Sequence, residues 1–448
     1  MVKIERLPVE DALAMNELNR RRFLGLAGAA TAGFALDPTD GLASLSRQWD
    51  TLPPAAPEFR IRTITTGIRL RSAVDHGAMQ EALDFLGAAR DVLAADYEVQ
   101  TIRIATLPLA SYTPEWRSDE AIDAIAALDR MAADADVMFS VGPVLTGDQR
   151  EDGFGTWASE LISATTNTSF SAFIASETGG RHPGSIRASA EAIAAIARTS
   201  PGGEGNFRFC ATAFCPPGTP FFPAAWHAGA PAFSIGLESP NLLLSALRDA
   251  SDASSDGLDT ACVRRTMIDR LNSALAPIDE VCRSIASGTD RRYLGIDTSP
   301  APGLDASIGE VIETLSGAPF GSPATLSACS TITDVLQGLD TRTFGYSGLM
   351  LPVLEDRVLA ERASELRYGL QDLLLYSSVC GTGLDVVPLP GNVSVEALEA
   401  IIGDVAALAL RYRKPLSARL FPIPGKSAGE MAHFENPFLT SCRVMEAT

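Results

Sequence analysis

No two cysteines of the chain form a CxxC pair, and no HExxH, GxGxxG or Walker loop occurs in it. Those absences remove zinc ribbons, zincin proteases and the common nucleotide cradles. Each of those chemistries needs its ligands or glycines at fixed spacing. Positive charge is short as well: 36 Lys and Arg stand against 55 Asp and Glu, a net charge of −19. A field of that sign repels phosphate backbones and anionic membranes, so nucleic acid is set aside as a partner. Aromatic residues make up 7% and histidines number four, so each histidine near a strand end carries more weight.

What is present is ordinary for a globular protein: 46% hydrophobic and 20% charged residues in a chain of 448. That length buries a large core, as one big α/β domain or two ordinary ones. The seven cysteines are odd in number and scattered, which reads as buried free thiols.

The N-terminus reads as an address. Asn19-Arg20-Arg21-Arg22-Phe23-Leu24-Gly25 fits a twin-arginine export signal and leads into the apolar run FLGLAGAATAGFAL. The run falls short of the roughly 20 residues of an ordinary membrane-spanning helix. A basic patch, a short apolar stretch and small residues at Gly41-Leu42-Ala43 are the layout of a cleavable signal. The alternative is an amphipathic or core N-terminal helix. Residues 1–43 are thus expected to be a signal engaging the twin-arginine export machinery. The expected product is a periplasmic or extracellular protein with no stable membrane insertion. Its loss removes five basic and six acidic residues and leaves a net charge of about −18. Residues 44–57, SRQWDTLPPAAPE in essence, form a polar, proline-rich linker.

From 58 to 448 one domain of alternating strands and helices is expected. Strands are predicted at 60–70, 99–105, 137–141, 170–175, 207–214, 233–237, 293–296, 348–353, 384–389 and 416–421. Helices are predicted at 76–97, 119–134, 185–198, 242–247, 259–285 with a bend near Pro277, 306–315, 324–338, 356–377 and 394–413. This βα alternation implies a largely parallel sheet or barrel, with functional groups on loops at the carboxyl ends of strands.

Several residues sit where such chemistry gathers. His227, in PFFPAAWHAGAP, follows an aromatic run on a small-residue connection and suits a general base or a metal ligand. Glu238 and Asp297 end strands and are followed by Ser-Pro and Thr-Ser-Pro. With His227 they make a candidate acid/base set or a divalent-metal site; the plainer reading is that each caps its own turn. Asp356 fits the N-cap of the next helix, whereas Glu355 has no such explanation. Cys380 enters Gly381-Thr382-Gly383 and is a candidate nucleophile, or else a buried small residue. Arg419 stands inside a strand among apolar neighbours, where an arginine needs a carboxylate, either Asp385 or a substrate. Lys426 follows Pro424-Gly425 and suits an anion, or else is a solvated loop charge.

The stretches IRTITTGIRL near Arg62, PFFPAAWH ending at His227 and GIDTSPAPGLDASIGEVIE from Gly295 resemble the DUF711 proteins. So do YSGLMLPVLED ending at Asp356, VCGTGLDVVPLPG from Val379 and KPLSARLFPIPGKSAGEM from Lys414. DUF711 is a family of unknown function related to the UPF0210, or "PFL family", proteins. The resemblance covers about residues 58–448. It implies a fold similar to pyruvate formate-lyase: a barrel of about ten strands wrapped by helices. Such fold relatives use a glycine radical and a cysteine on a loop inside the barrel, and the resemblance makes Cys380 the candidate cysteine. No Arg-Val-Ser/Ala-Gly-Tyr element stands near the C-terminus, and Arg342-Thr343-Phe344-Gly345-Tyr346 precedes Cys380, so the analogy bears on architecture.

The expectation is an exported α/β-barrel enzyme, a non-radical lyase or hydrolase acting on a small anionic molecule. Arg419, Lys426, Asp385 and Glu355 bind it; His227, Glu238, Asp297 and Cys380 carry the chemistry, with a divalent metal as the candidate cofactor. The alternative is a non-catalytic periplasmic binding protein on the same fold, and the third reading is a radical enzyme.

Overall fold

The computed structural model describes residues 57–252, 260–434 and 436–447. The expected export signal and all but the last residue of the linker lie outside them. The chain opens with β1 (Arg60–Gly67), α1 (His76–Leu93), β2 (Ile102–Ala105), α2 (Asp119–Asp134) and β3 (Val137–Leu145). It continues with α3 (Phe154–Ala164), β4 (Thr168–Ser176), the two-residue β5 (Gly180–Arg181), α4 (Pro183–Thr199) and β6 (Phe209–Ala213). Next come β7 (Ala232–Glu238), α5 (Pro240–Asp252), α6 (Thr260–Ser287), β8 (Arg292–Pro300), α7 (Ile308–Ser316) and α8 (Thr325–Gln337). The last part holds α9 (Arg357–Ser364), α10 (Leu370–Tyr376), β9 (Gly383–Pro390), α11 (Val395–Tyr412), β10 (Leu416–Ile423) and the short β11 (Met431–Ala432) and β12 (Cys442–Arg443).

Ten strands form one sheet in the order β8-β7-β1-β2-β3-β4-β6-β10-β9, with β5 beside β4. The run β1-β2-β3-β4-β6 is wholly parallel, and so are the pairs β7/β8 and β9/β10. The blocks meet antiparallel at β1/β7 and β6/β10. Helices following the strands supply the apolar layer outside. On α2, Ile122, Ile125 and Leu128 are buried at helical spacing, and Ser118 caps the helix by accepting from the Ala121 N–H. Beneath α3, Phe154, Trp157, Phe170 and Phe209 pack ring on ring at 4.9–6.4 Å. The second face of the strands is buried too, which is why β7, β9 and β10 have no exposed position at all.

Two expectations are corrected. The predicted strand 348–353 is not a regular strand, because Pro352 has no N–H to continue a ladder. Its segment is nonetheless tied on both sides. Arg342 and Phe344 bond to Ile296 of β8, while Leu349 accepts from Gly381 and Val353 donates to the Asp385 carbonyl of β9. The outermost strands of the order are thus both bonded to one stretch, 342–353. The predicted helix 356–377 is broken into α9 and α10, since Leu366 is left-handed at φ 59° and Gly369 is extended. The helix α3 has no counterpart among the expected elements.

Candidate functional site

Strands β8 and β7 at one end of the sheet order, strands of its middle and β10, next to the other end, line one cavity of about 170 Å³, so the sheet curls around it. The connection from β6 to β7, residues 214–231, turns inward and fills part of that space. Pro220, Phe221 and Phe222 line the cavity. Arg103 donates to the Pro220 carbonyl at 3.2 Å, Ser140 to that of Ala225 at 2.7 Å, and Ser234 to that of Gly218 at 2.7 Å. Strand side chains thus satisfy the polar backbone of a buried loop, which would otherwise be costly.

The charged residues on the cavity wall are placed by irregularities in the strands. Ile61 pairs with Leu237 and Thr63 with Gly236, so Arg62 is the extra residue of a bulge on β1. Ala418 pairs with Leu384 and Leu420 with Val387, so Arg419 faces the two residues Asp385 and Val386, the latter at φ 41°. Bulges re-aim side chains out of strict alternation.

The product is a continuous chain of alternating charge. Arg60 donates to Asp305 and to Glu238 at 2.8 and 2.7 Å. Glu238 also accepts from Arg62 at 3.1 Å and from Gln100 at 3.0 Å. Arg62 reaches Glu355 at 3.4 Å, Glu355 accepts from Arg419 at 2.6 Å, and Arg419 donates to Asp385 at 2.6 Å. It runs from Asp305, 44% exposed, down to Asp385, 2% exposed. The Arg419 guanidinium lies 5.3 and 5.4 Å from the Phe207 and Phe221 ring centres, a cation–π arrangement in a desolvated place. One Asp385 oxygen takes the Arg419 bond; the other, Oδ2, is buried without a hydrogen-bond partner among the described residues. Burial pushes the Asp385 carboxyl up from its ordinary range, and the Arg419 charge opposes that rise.

Arg419, Asp385 and Glu355 therefore meet as one group, and Glu238 joins them through Arg62. The other candidates do not. Asp297 lines the cavity, but its oxygens are taken by the backbone N–H groups of Ser299, Tyr346 and Ser347, each at 3.0 Å. It clasps 346–347 to β8 and caps its own turn. Cys380 does not line the cavity; its sulfur accepts from the Gly383 N–H at 3.3 Å. The next residue, Gly381, is a crossing point: a Cβ there would lie 2.4 Å from the Gly348 Cα. The inward-turning loop carries Cys215 instead, buried beside Cys210 and Tyr346. Lys426 sits on the loop after β10, away from the cavity wall.

His227 closes the inward loop but also stands outside the cavity lining. Its backbone N–H donates to the Thr106 carbonyl at 2.8 Å, and its ring lies so close to Gly67 that a Cβ there would fall 2.1 Å from Nδ1. Nε2 is buried with no hydrogen-bond partner among the described residues. Among the described residues no group of three or more His, Cys, Asp or Glu side chains is arranged to hold a metal ion, so His227, Glu238 and Asp297 do not form the expected metal set. Burial holds the His227 imidazole down at about 4 from an ordinary 6.5. Between those values the unfolded chain binds a proton that the native chain does not. Stability should therefore fall as pH drops from 6.5 to about 4, by roughly 2–3 kcal/mol. Urea unfolding at pH 7 and pH 4.5 checks this: His227→Gln should lose that part of the pH dependence, and an unchanged slope would refute it.

The sequence reading passed over Arg60, Arg62 and Arg103. The signal was the one used for Arg419, an arginine between apolar neighbours in a strand. In RIRTITTGIRL the alternation reads as a solvent face. Here that face is the cavity wall, and Arg103 is 8% exposed over the Phe222 ring.

Comparison with known proteins agrees with the resemblance. The family model described as "Uncharacterised ACR (DUF711)" matches residues 55–435. A UPF0210 protein of Pyrobaculum aerophilum is 27% identical over 401 residues, covering 83% of this chain and 87% of its own. One from Syntrophobacter fumaroxidans is 27% identical over 405 residues, 84% and 88% of the two chains. One from Pyrobaculum arsenaticum is 33% identical over 233 residues, about half of each chain.

Proposed function

The chain belongs to the DUF711 family, and from that premise we propose that it is an enzyme acting on a small carboxylate-bearing molecule held in the arginine-lined cavity. The observation that carries this is the run Arg62–Glu355–Arg419 on the cavity wall, partly buried at Arg62 and Glu355 and buried at Arg419. Burying ion pairs costs several kcal/mol per charge and rarely repays that cost in stability, so a network of this depth points to use. Guanidiniums present a planar fork that matches a carboxylate. Phe207, Phe221, Phe222 and Phe438 supply an apolar wall for the rest of the molecule.

Proton transfer falls to Glu355, which lines the cavity between the two guanidiniums, with Asp385 behind it as the second carboxyl on Arg419. That supports a non-radical lyase or hydrolase. The sheet supports the reading of a closed barrel similar to pyruvate formate-lyase. Five parallel strands, β1-β2-β3-β4-β6, face β7, β8, segment 342–353, β9 and β10, and that segment joins the two edges. The Asn19–Gly25 segment supports export by the twin-arginine route and a periplasmic location.

The test is ligand-induced stabilisation. The protein, recovered from the periplasmic fraction of cells producing the full chain, is melted with acetate, benzoate, pyruvate, and phosphate as a non-carboxylate control. Carboxylates at 100 times their Kd should stabilise it by about 2.7 kcal/mol. No shift with any carboxylate overturns the binding half of the proposal, and recovery from the cytoplasm alone overturns the export half.

A further inference from the structure

Arg62 differs from the other arginines of the charge chain. Arg60 and Arg419 hold their carboxylates at 2.6–2.8 Å. Arg62 holds Glu238 at 3.1 Å, the Pro302 carbonyl at 3.2 Å and Glu355 at 3.4 Å. Short, straight charge-assisted bonds are the strong ones, so Arg62 is the loosest guanidinium of the three. It is also the most open, with its side chain 21% exposed against 12% for Arg60 and 6% for Arg419. It lines the cavity.

Its nitrogens are unequally engaged. Among the described residues Nη1 serves Glu238 and Pro302, whereas Nη2 has the 3.4 Å contact to Glu355 alone. Nε and Nη2 form the edge of a guanidinium that carboxylates take with two parallel bonds. Glu355 does not depend on Arg62, because its other oxygen is held by Arg419 at 2.6 Å.

We propose that this Nε/Nη2 edge of Arg62 is the seat of the ligand's carboxylate, and that docking there displaces Glu355 from Arg62 while leaving it on Arg419. The inference rests on the carboxylate reading of the cavity and adds the residue that selects for it. Only one long contact breaks, and two bonds replace it. Glu355 is left with one oxygen turned toward the bound molecule, so binding itself exposes the acid/base group. The fork takes a carboxylate or a phosphate alike, but Glu238 and Glu355 on the same guanidinium repel a doubly charged phosphate more than a singly charged carboxylate. The rings of the cavity favour a flat apolar body such as an aryl group over a bare acetate.

The experiment is calorimetric titration of the full protein with benzoate, acetate and inorganic phosphate. Benzoate should bind more tightly than acetate, and phosphate weakest. Arg62→Gln should weaken benzoate at least about 30-fold, the scale of a lost charge-assisted pair. Arg62→Lys keeps the charge and the fold but not the fork, and should still lose about 10-fold. Glu355→Gln should leave benzoate affinity equal or higher, because the displaced competitor is weakened. If benzoate binds the wild type and both Arg62 variants equally, the seat is elsewhere while the carboxylate reading stands. If none of the three probes binds the wild type, both fall.

Discussion

Replacing Arg419 with Met is expected to cost about 3–5 kcal/mol of stability, because it leaves buried acids without their cation. The Arg419 side chain is 6% exposed and serves two carboxylates at once, Asp385 through Nε and Glu355 through Nη2. Methionine restores most of the apolar volume between Phe207 and Phe221 but leaves both acids without their cation. The cost should depend on pH in a definite sense. Burial already holds the Asp385 carboxyl above its ordinary value, with Arg419 opposing. Without Arg419 the native state keeps the Asp385 proton to higher pH still, while the unfolded chain releases it near the ordinary value. Between those two points the native state binds more protons, so its stability rises as pH falls. The deficit of Arg419→Met relative to wild type should therefore be smaller at pH 5 than at pH 8 in urea titrations. A deficit of equal size at both values would mean that Arg419 acts through its packing on the two rings and not through its charge.

Arg419 and Asp385 were expected to pair because an arginine inside an apolar strand needs a carboxylate, and the rule needs no knowledge of the fold. Their meeting with Glu355 and Arg62 depends on the order β7-β1 at one place and β9-β10 at another, and on two bulges. A bulge has no composition signature at Arg62 or at Val386, a β-branched residue forced to φ 41°. His227 shows a different limit. Its rarity and its aromatic neighbours mark it in the sequence, and the structure places it on the buried loop, outside the cavity lining. The aromatic residues preceding it, Phe221 and Phe222, are the ones that reach the cavity. The βα alternation was legible because most strands and helices are long enough to show their period. Segment 342–353 was legible only in part, since its pairing is made of single backbone bonds around Pro352.

Asp356 carries the second large prediction, and it stands one residue from Glu355. Its role as N-cap of α9 follows from the sequence, and it does accept from the Val358 and Leu359 N–H groups at 3.0 Å. The structure adds that the same carboxylate caps α7. It accepts from the Ser307 hydroxyl at 2.8 Å and from the Ile308 and Gly309 N–H groups at 2.6 and 3.4 Å, with Ser307 in turn capping Glu310. Five donors thus converge on one fully buried side chain, at the starts of two helices whose positive ends favour it. Asp356→Ala strands four backbone N–H groups away from water, and each buried orphan donor costs about 1–3 kcal/mol before relaxation. A loss on the order of 4–5 kcal/mol is expected. Asp356→Asn should be nearly as harmful, because an amide satisfies the donors at one oxygen but turns an NH2 toward those at the other. The two variants separate a capping role from simple cavity formation. If the Asp356→Asn variant matched wild-type stability in a urea titration, the charge and the second acceptor would be dispensable, and the double cap would be a coincidence of packing. The same change should reach the cavity, because α7 and α9 together set where Glu355 stands. Asp356→Asn is therefore expected to weaken benzoate binding while Arg62 and Arg419 remain in place.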